Sequence, residues 1–263
     1  MVGDETAALK PILAARALTI RAGARLLVRE LALECRRGEF VAILGRNGSG
    51  KTLTLHALAG LGSPASGEVL LGGKSLRQLG RRAIARDIGI LMQDREEGLP
   101  TSVLESVLIG RNPHLRPLQW ETAADQRIAE ACLERLDLGA FSERKLETLS
   151  GGEQRRVALA ALLAQDPAIF LLDEPTNHLD PHHQIEVLEL FRSLARAGRT
   201  VIATLHDPTL AARFADRVLL LHGNGDWHAG AVDDALTAGA LAALYLTPFV
   251  ELRTEGRRAF LGA

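Results

Sequence analysis

The chain has 263 residues, 47% hydrophobic and 24% charged, enough for a large core in one domain or a domain with a subdomain. A net charge of −1 excludes the overall basic field that draws proteins to nucleic acid. Aromatics at 4%, with Tyr245 the single tyrosine, argue against a stacking platform for single strands. No apolar run reaches the ~18–20 residues of a membrane-spanning helix. Asp4 and Glu5 stand where a secretion signal is basic and then apolar. Cys35 and Cys132 are far apart and outside any Cys/His cluster, so both are expected as free thiols in a cytosolic protein. Membrane association is then expected only through a partner.

In chain order, alternating stretches around Leu18–Arg21 and Leu26–Cys35 predict two strands joined by a turn at Ala22-Gly23. Phe40–Leu44 is a continuous apolar run, which suits a strand covered on both faces. A helix is expected from about Lys51 to Leu61, and strands at Glu68–Leu71 and Ile88–Met92. From about Asp94 to Arg156 the pattern turns helical, with Ser102–Ile109, Thr122–Leu136 and Glu153–Leu163 in helical spacing. Beyond it, Ala168–Leu172, Thr200–Thr204 and Val218–Leu221 read as buried strands, alternating with helices at Pro181–Ala197 and Thr209–Ala215. That rhythm implies a parallel sheet with crossover helices. Val250–Leu252 and Arg258–Leu261 read as a hairpin around Glu255-Gly256.

Between the third strand and the first helix lies Gly45-Arg46-Asn47-Gly48-Ser49-Gly50-Lys51-Thr52, a match to G-x-x-x-x-G-K-[ST] in the context that motif requires. Its glycines let backbone N–H groups wrap phosphate oxygens, and the helix start adds partial positive charge. Lys51 is expected to neutralise the β- and γ-phosphates and Thr52 to ligate Mg²⁺. Ile169–Leu172 ends in Asp173-Glu174, at the strand edge where ligands bind in such sheets. Asp173 would reach Mg²⁺, and Glu174 would accept the proton of an attacking water.

Three further positions carry polar side chains at strand or helix ends. Gln93, after a strand, either orients water or touches Mg²⁺, or is a plain loop residue. His206, after Val201–Leu205, either bonds a γ-phosphate, or holds Glu174, or is structural. Asp180, before Pro181, is a helix-start signal. Leu149-Ser150-Gly151-Gly152-Glu153-Gln154-Arg155-Arg156 opens a helix with a hydroxyl and N–H groups, a second anion site or a capped Gly-Gly turn.

Taken in this order, the phosphate loop, Gln93, Leu149–Gln154, Asp173-Glu174, Asn177–Asp180 and His206 resemble the ATP-binding cassette (ABC) ATPases over nearly the whole chain. The resemblance implies an α/β fold: a P-loop NTPase core with a parallel sheet, an N-terminal antiparallel β subdomain and a helical signature-motif subdomain. One ATPase domain would then span 1–263, with 1–93 and 157–263 as core plus β subdomain and 94–156 as helical subdomain. It makes Ser150, Gly151, Gly152, Glu153 and Gln154 the signature motif, with Ser150 and Gly152 touching ATP held by a second copy. It makes Asn177–Asp180 the loop across that dimer, Gln93 the start of a link to membrane subunits, and His206 a switch histidine. Two ATP and Mg²⁺ would be sandwiched in a homodimer, and hydrolysis would move integral membrane permeases.

The family carries an aromatic residue that stacks on adenine. Here that position falls near Ala22, and no Tyr, Trp or Phe lies between Met1 and Glu39. Arg21 or Arg25 is the available substitute, and loose base selectivity is expected. The stretch Val107-Leu108-Ile109-Gly110-Arg111-Asn112-Pro113-His114 and the chain end from Leu241 resemble ATPases of iron–siderophore, haem and cobalamin importers. That points to a peripheral subunit on the inner face of the cell membrane, served indirectly by a substrate-binding protein, with no nucleic-acid partner. The rival readings are a cassette of another transporter, a soluble ABC ATPase, or a P-loop kinase. Soluble cassette proteins carry two cassettes or a long coiled-coil insert, which this sequence lacks. In a kinase, Leu149–Gln154 has no task.

Overall fold

The computed structural model describes residues 10–92, 101–116, 118–254 and 257–263. Gln93 lies outside them, as do the expected hairpin tip Glu255-Gly256 and Asp4 and Glu5. The chain begins with an antiparallel pair, β1 (Leu13–Ala22) and β2 (Arg25–Cys35), followed by β3 (Phe40–Leu44) and helix α1 (Lys51–Leu58). Then come β4 (Ser66–Leu71), the short β5 (Lys74–Ser75), α2 (Arg81–Asp87) and β6 (Ile88–Leu91). Two helices follow, α3 (Val103–Leu108) and α4 (Ala123–Glu134), and then α5 (Gly151–Gln165). The remainder is β7 (Ile169–Leu172), α6 (Pro181–Arg196), β8 (Thr200–Thr204), α7 (Pro208–Phe214), β9 (Arg217–Leu221), β10 (Trp227–Ala231), α8 (Val232–Ala235), α9 (Ala238–Tyr245), β11 (Phe249–Thr254) and β12 (Arg257–Gly262).

The central sheet has the order β10-β9-β3-β8-β7-β6. Its members pair in parallel apart from β10, which runs antiparallel on β9 at one edge. The continuous apolar runs explain why. β3, β7 and β8 are buried at every position, with successive residues entering opposite layers. Phe40, Ala42, Phe170 and Leu172 pack toward the helical side, and Val41, Ile43, Ile169 and Leu171 toward β1 and β2. A second sheet, ordered β2-β1-β4-β5, covers that other side. β11 and β12 form the expected terminal hairpin.

Local chemistry sets the helix starts. Ser102 with Glu105, Thr122 with Asp125 and Ser150 with Glu153 each close a reciprocal capping box. Asp180 and Asp207 cap helices whose first residue is proline. α1 stops at Leu58, short of the expected Leu61, because Ala59-Gly60 turns the chain out of the helix. The expected helical insert is present, and within its described residues the extended pairing is one isolated bridge between Ser102 and Lys145. Five of these strands and helices went unforeseen: β5, α2, β10, α8 and α9. Cys35 is buried and Cys132 half-buried, both as free thiols, and burial pushes the Cys35 thiol up to about 12. Among the described residues no helix is long and apolar enough to cross a membrane.

Candidate nucleotide site

The phosphate loop joins the carboxyl end of β3 to α1. Gly45 is required there because a Cβ would lie 2.5 Å from the Leu221 carbonyl oxygen and from Ser49 Oγ. Lys51 is buried, and its Nζ donates to the carbonyls of Gly45 at 2.8 Å and Arg46 at 3.3 Å. Burial lowers the Lys51 ammonium below its ordinary range, and the carboxylates of Glu174 and Asp173 act in the opposite sense. Asn47, Gly48, Gly50, Lys51, Thr52 and Leu53 line a cavity of about 610 Å³. Its further walls are Ala22, Arg25, Leu27, Glu174, Asn177 and His206. The volume lies within the range of small-molecule sites.

Two carboxylates reach this region from the end of β7. Asp173 is fully buried, and its Oδ1 accepts from Thr204 Oγ1 at 2.7 Å. Its Oδ2 is buried with no hydrogen-bond partner among the described residues. A bare carboxylate oxygen beside a phosphate loop has the chemistry of a cation ligand. Glu174 adopts a left-handed backbone (φ 48°), and its N–H donates to Thr204 Oγ1 at 2.8 Å. One oxygen, Oε1, lies 2.5 Å from His206 Nε2, and the other accepts from Asn177 Nδ2. The imidazole and the amide thus fix both carboxylate oxygens while lone pairs remain for a third partner.

The segment before α5 is built differently. Ser150 caps the helix: its Oγ accepts from the Glu153 N–H at 3.3 Å, and its own N–H donates to Glu153 Oε2 at 2.7 Å. Those bonds to Ser150 hold the Glu153 carboxyl below its usual range. Gln154 turns inward, its Nε2 donating to the carbonyls of Leu146 and Leu149 at 3.0 and 2.8 Å. Ser150 and Gly151 are exposed. None of residues 150–154 lines the phosphate-loop cavity. Asp180 stands at the start of α6 with Oδ2 2.6 Å from His183 Nδ1, and hydrogen bonds from His183 hold its carboxyl low.

The structure therefore gathers the phosphate loop, Glu174 and His206 around one cavity, with Asp173 buried next to Glu174 in the chain, and leaves the Ser150 segment outside it. Both arginines are exposed, but Arg25 reaches the cavity wall, whereas Arg21 does not line it and donates to the Ala24 carbonyl at 2.5 Å. Three residues have roles that the sequence reading did not give them. Thr204 serves both carboxylate residues, Asn177 holds Glu174, and Arg155 joins α5 to the strand ends. The buried Arg155 guanidinium donates to the carbonyls of Met92 at 2.5 Å and Glu174 at 2.8 Å, and to that of Asp173. Thr204 and Asn177 had a visible signal, a polar residue at or just past a strand end. Arg155 had none beyond a charge at a core-facing helical position.

The Gly110 stretch proves to be a brace. A Cβ on Gly110 would lie 2.0 Å from the Ala161 carbonyl oxygen of α5. Arg111 binds Asp125 Oδ1 at 3.0 Å and the Ala164 carbonyl at 2.7 Å, and His114 Nε2 lies 2.8 Å from the Gln165 carbonyl oxygen.

A parallel sheet with a Gly-rich cradle at its carboxyl edge and two acids on a neighbouring strand defines a P-loop nucleotide-binding protein of the α/β class. Residues 28–177 match the model of the ABC transporter family, and the chain belongs to that family. It is 43% identical over 210 residues, 78% of each chain, to a hemin import ATP-binding protein of Deinococcus radiodurans. A solved structure of a metal-chelate type ABC transporter in an inward-facing conformation superposes with a TM-score of 0.84 at 28% identity, covering 97% of this chain and 98% of that one. A bacterial ABC transporter cassette solved as a dimer superposes with a TM-score of 0.74 at 28% identity, covering 84% and 98%.

Proposed function

We propose that the chain is the ATP-hydrolysing subunit of an ABC importer, powering uptake of a metal chelate (iron–siderophore, haem or cobalamin) through partner membrane permeases. The observation that carries this reading is the division of the site: a cavity holding Lys51, Thr52, Glu174 and His206, and an exposed Ser150 segment that lies outside it. One copy supplies the cradle and the base, and a second copy supplies Ser150 and Gly152 to the γ-phosphate. Asp180 lies in the loop that crosses the homodimer. The similarity to a cassette solved as a dimer supports this arrangement. The whole chain is taken as one ATPase domain, with residues 94–156 as its helical subdomain.

In this reading the phosphates of ATP lie along Gly45–Thr52, and Lys51 leaves the Gly45 and Arg46 carbonyls for the β- and γ-oxygens. Thr52 and Asp173 would hold Mg²⁺, which neutralises charge on the phosphates. The unpartnered Asp173 Oδ2 fits that task, and Mg²⁺ takes one or two protein ligands beside phosphate and water. Glu174 takes a proton from water as its oxygen attacks the γ-phosphorus, giving ADP and phosphate. His206 and Asn177 keep that carboxylate aimed. Gln93 is assigned to Mg²⁺ and to the link with the permease on the family resemblance alone. The subunit would sit at the inner face of the membrane, linked to a substrate-binding protein only through the permease. The metal-chelate cargo is supported by the hemin-import relative and the metal-chelate transporter structure.

Phosphate release from ATP with Mg²⁺, in the absence of any acceptor, is the first test. ATP consumption that requires a small acceptor molecule, with the phosphoryl group ending on that acceptor, would replace this reading with a kinase. Co-expression with its permease should carry the chain to the membrane fraction and couple ATP use to uptake of haem, an iron–siderophore complex or cobalamin. A chain that hydrolyses ATP and stays free of the membrane would be a soluble ABC ATPase.

A further inference from the structure

The cavity that starts at the phosphate loop must also seat the nucleoside, and its remaining walls are Ala22, Arg25, Leu27 and Leu53 together with Asn177 and His206. No Phe, Tyr or Trp is among the residues that line it. The planar, delocalised group available on the Ala22–Leu27 side is the Arg25 guanidinium. It is anchored, since its Nη2 donates to the Gly223 carbonyl at 3.3 Å. It also lies against two glycines. Nη1 is 3.9 Å from where a Cβ on Gly48 would be, and Nη2 is 3.6 Å from where one on Gly223 would be. Both glycines have positive φ, +73° and +77°, a backbone region that side-chain-bearing residues rarely adopt. The guanidinium thus sits at ordinary contact distance from the turns that carry both glycines.

Resting on the nucleotide-hydrolysing reading above, we propose that Arg25 is the platform for the purine base and makes the site accept GTP as well as ATP. A guanidinium plane stacks on the π-face that every base presents, so the contact gives affinity without choosing adenine. Its edge offers parallel N–H donors, which match O6 and N7 of guanine, whereas adenine presents N7 beside its own amino donor. Neither mode penalises guanine. Leu27 and Ala22 add apolar contact that is equally blind to the base.

The test uses the full chain with Mg²⁺, comparing wild type, Arg25→Ala, Arg25→Lys and Arg25→Tyr. Nucleotide binding by calorimetry and steady-state KM and kcat are measured with ATP and with GTP. Wild type should use both, with KM values within about threefold, as a base-tolerant stack implies. Arg25→Ala should raise both KM values about fivefold or more while kcat at saturation stays within about twofold, because a base contact acts on binding and not on the chemical step. Arg25→Lys keeps the charge without the plane and should match Arg25→Ala. Arg25→Tyr restores a flat stacking face and should recover ATP affinity. Unchanged KM in Arg25→Ala overturns the proposal, as does wild-type KM in Arg25→Lys, which would mean charge on the phosphates alone. Strong ATP preference in wild type overturns the base tolerance. A wild type that hydrolyses no nucleotide would instead sink the parent reading.

Discussion

The strand ends around the phosphate loop and the start of α5 treat their polar groups in opposite ways. At the strand ends, Asp173 Oδ2 and Ser49 Oγ are buried without partners among the described residues, and Lys51 is folded back on its own loop. At the start of α5, Ser150 and Glu153 satisfy each other, Gln154 locks the preceding turn, and Ser150 stays exposed. An unmet buried polar group costs about 1–3 kcal/mol, and a ligand that meets it recovers that energy. The first region is therefore built to be completed by ligand atoms inside its own chain. The second is a finished, rigid surface, useful to something that comes to it from outside.

Glu174→Gln tests the first region most severely. Phosphate release should fall by ~100-fold or more, the scale of a lost general base, while nucleotide binding persists and the dimer lives longer in gel filtration. Near-normal turnover would remove Glu174 as the base. Ser150→Arg tests the second region. It leaves the cavity intact, so binding should remain, yet turnover should drop ~100-fold, the scale of losing one preorganised anion donor. Full activity there would mean that the exposed surface is not part of the reaction.

The brace behind α5 predicts smaller effects. Gly110→Ala forces a Cβ onto the Ala161 carbonyl, and such overpacking should cost ~1–3 kcal/mol, read as a lower Tm. The Asp125 carboxyl is held at about 2, below its ordinary 3.8, chiefly by the Thr122 hydroxyl and backbone N–H and by Arg111. A depressed carboxylate stabilises the fold above its unfolded pKa. That contribution is fully present above about pH 4 and fades as pH falls from 3.8 through about 2. Asp125→Asn should therefore flatten the acid limb of a Tm-against-pH curve. An unaltered limb would show that the Arg111–Asp125 contact does not hold α4 against α5.

The parallel strands were readable because β3, β7 and β8 are apolar at nearly every position, and only a sheet covered on both faces tolerates that. The start of α6 was readable from Asp180 before Pro181. The α2 helix was not, since Arg81–Asp87 buries no residue and so carries no apolar period. β10 is an edge strand, Trp227–Ala231, with no buried residue, stabilised by its partner β9 and not by its own composition. Within the site, short-range motifs gave the cradle and the acids. Thr204 and Arg155 reach residues 31 and 18 positions away, contacts that exist only once the sheet is assembled. The choice between Arg21 and Arg25 likewise waited on which side of β1 and β2 faces the cavity.

Arg155 joins two parts of the molecule that are far apart in sequence. One guanidinium, carried by the second turn of α5, grips the carbonyls at the ends of β6 and β7, including that of the residue proposed as base. Hydrogen bonds from a charged donor contribute about 1.5–3 kcal/mol each. Swinging the helical segment as a rigid arm must therefore either break that grip or drag Met92, Asp173 and Glu174 along with it. A helix that starts as far from the cavity as Ser150 is thus tied, through Arg155, to the backbone of both acids.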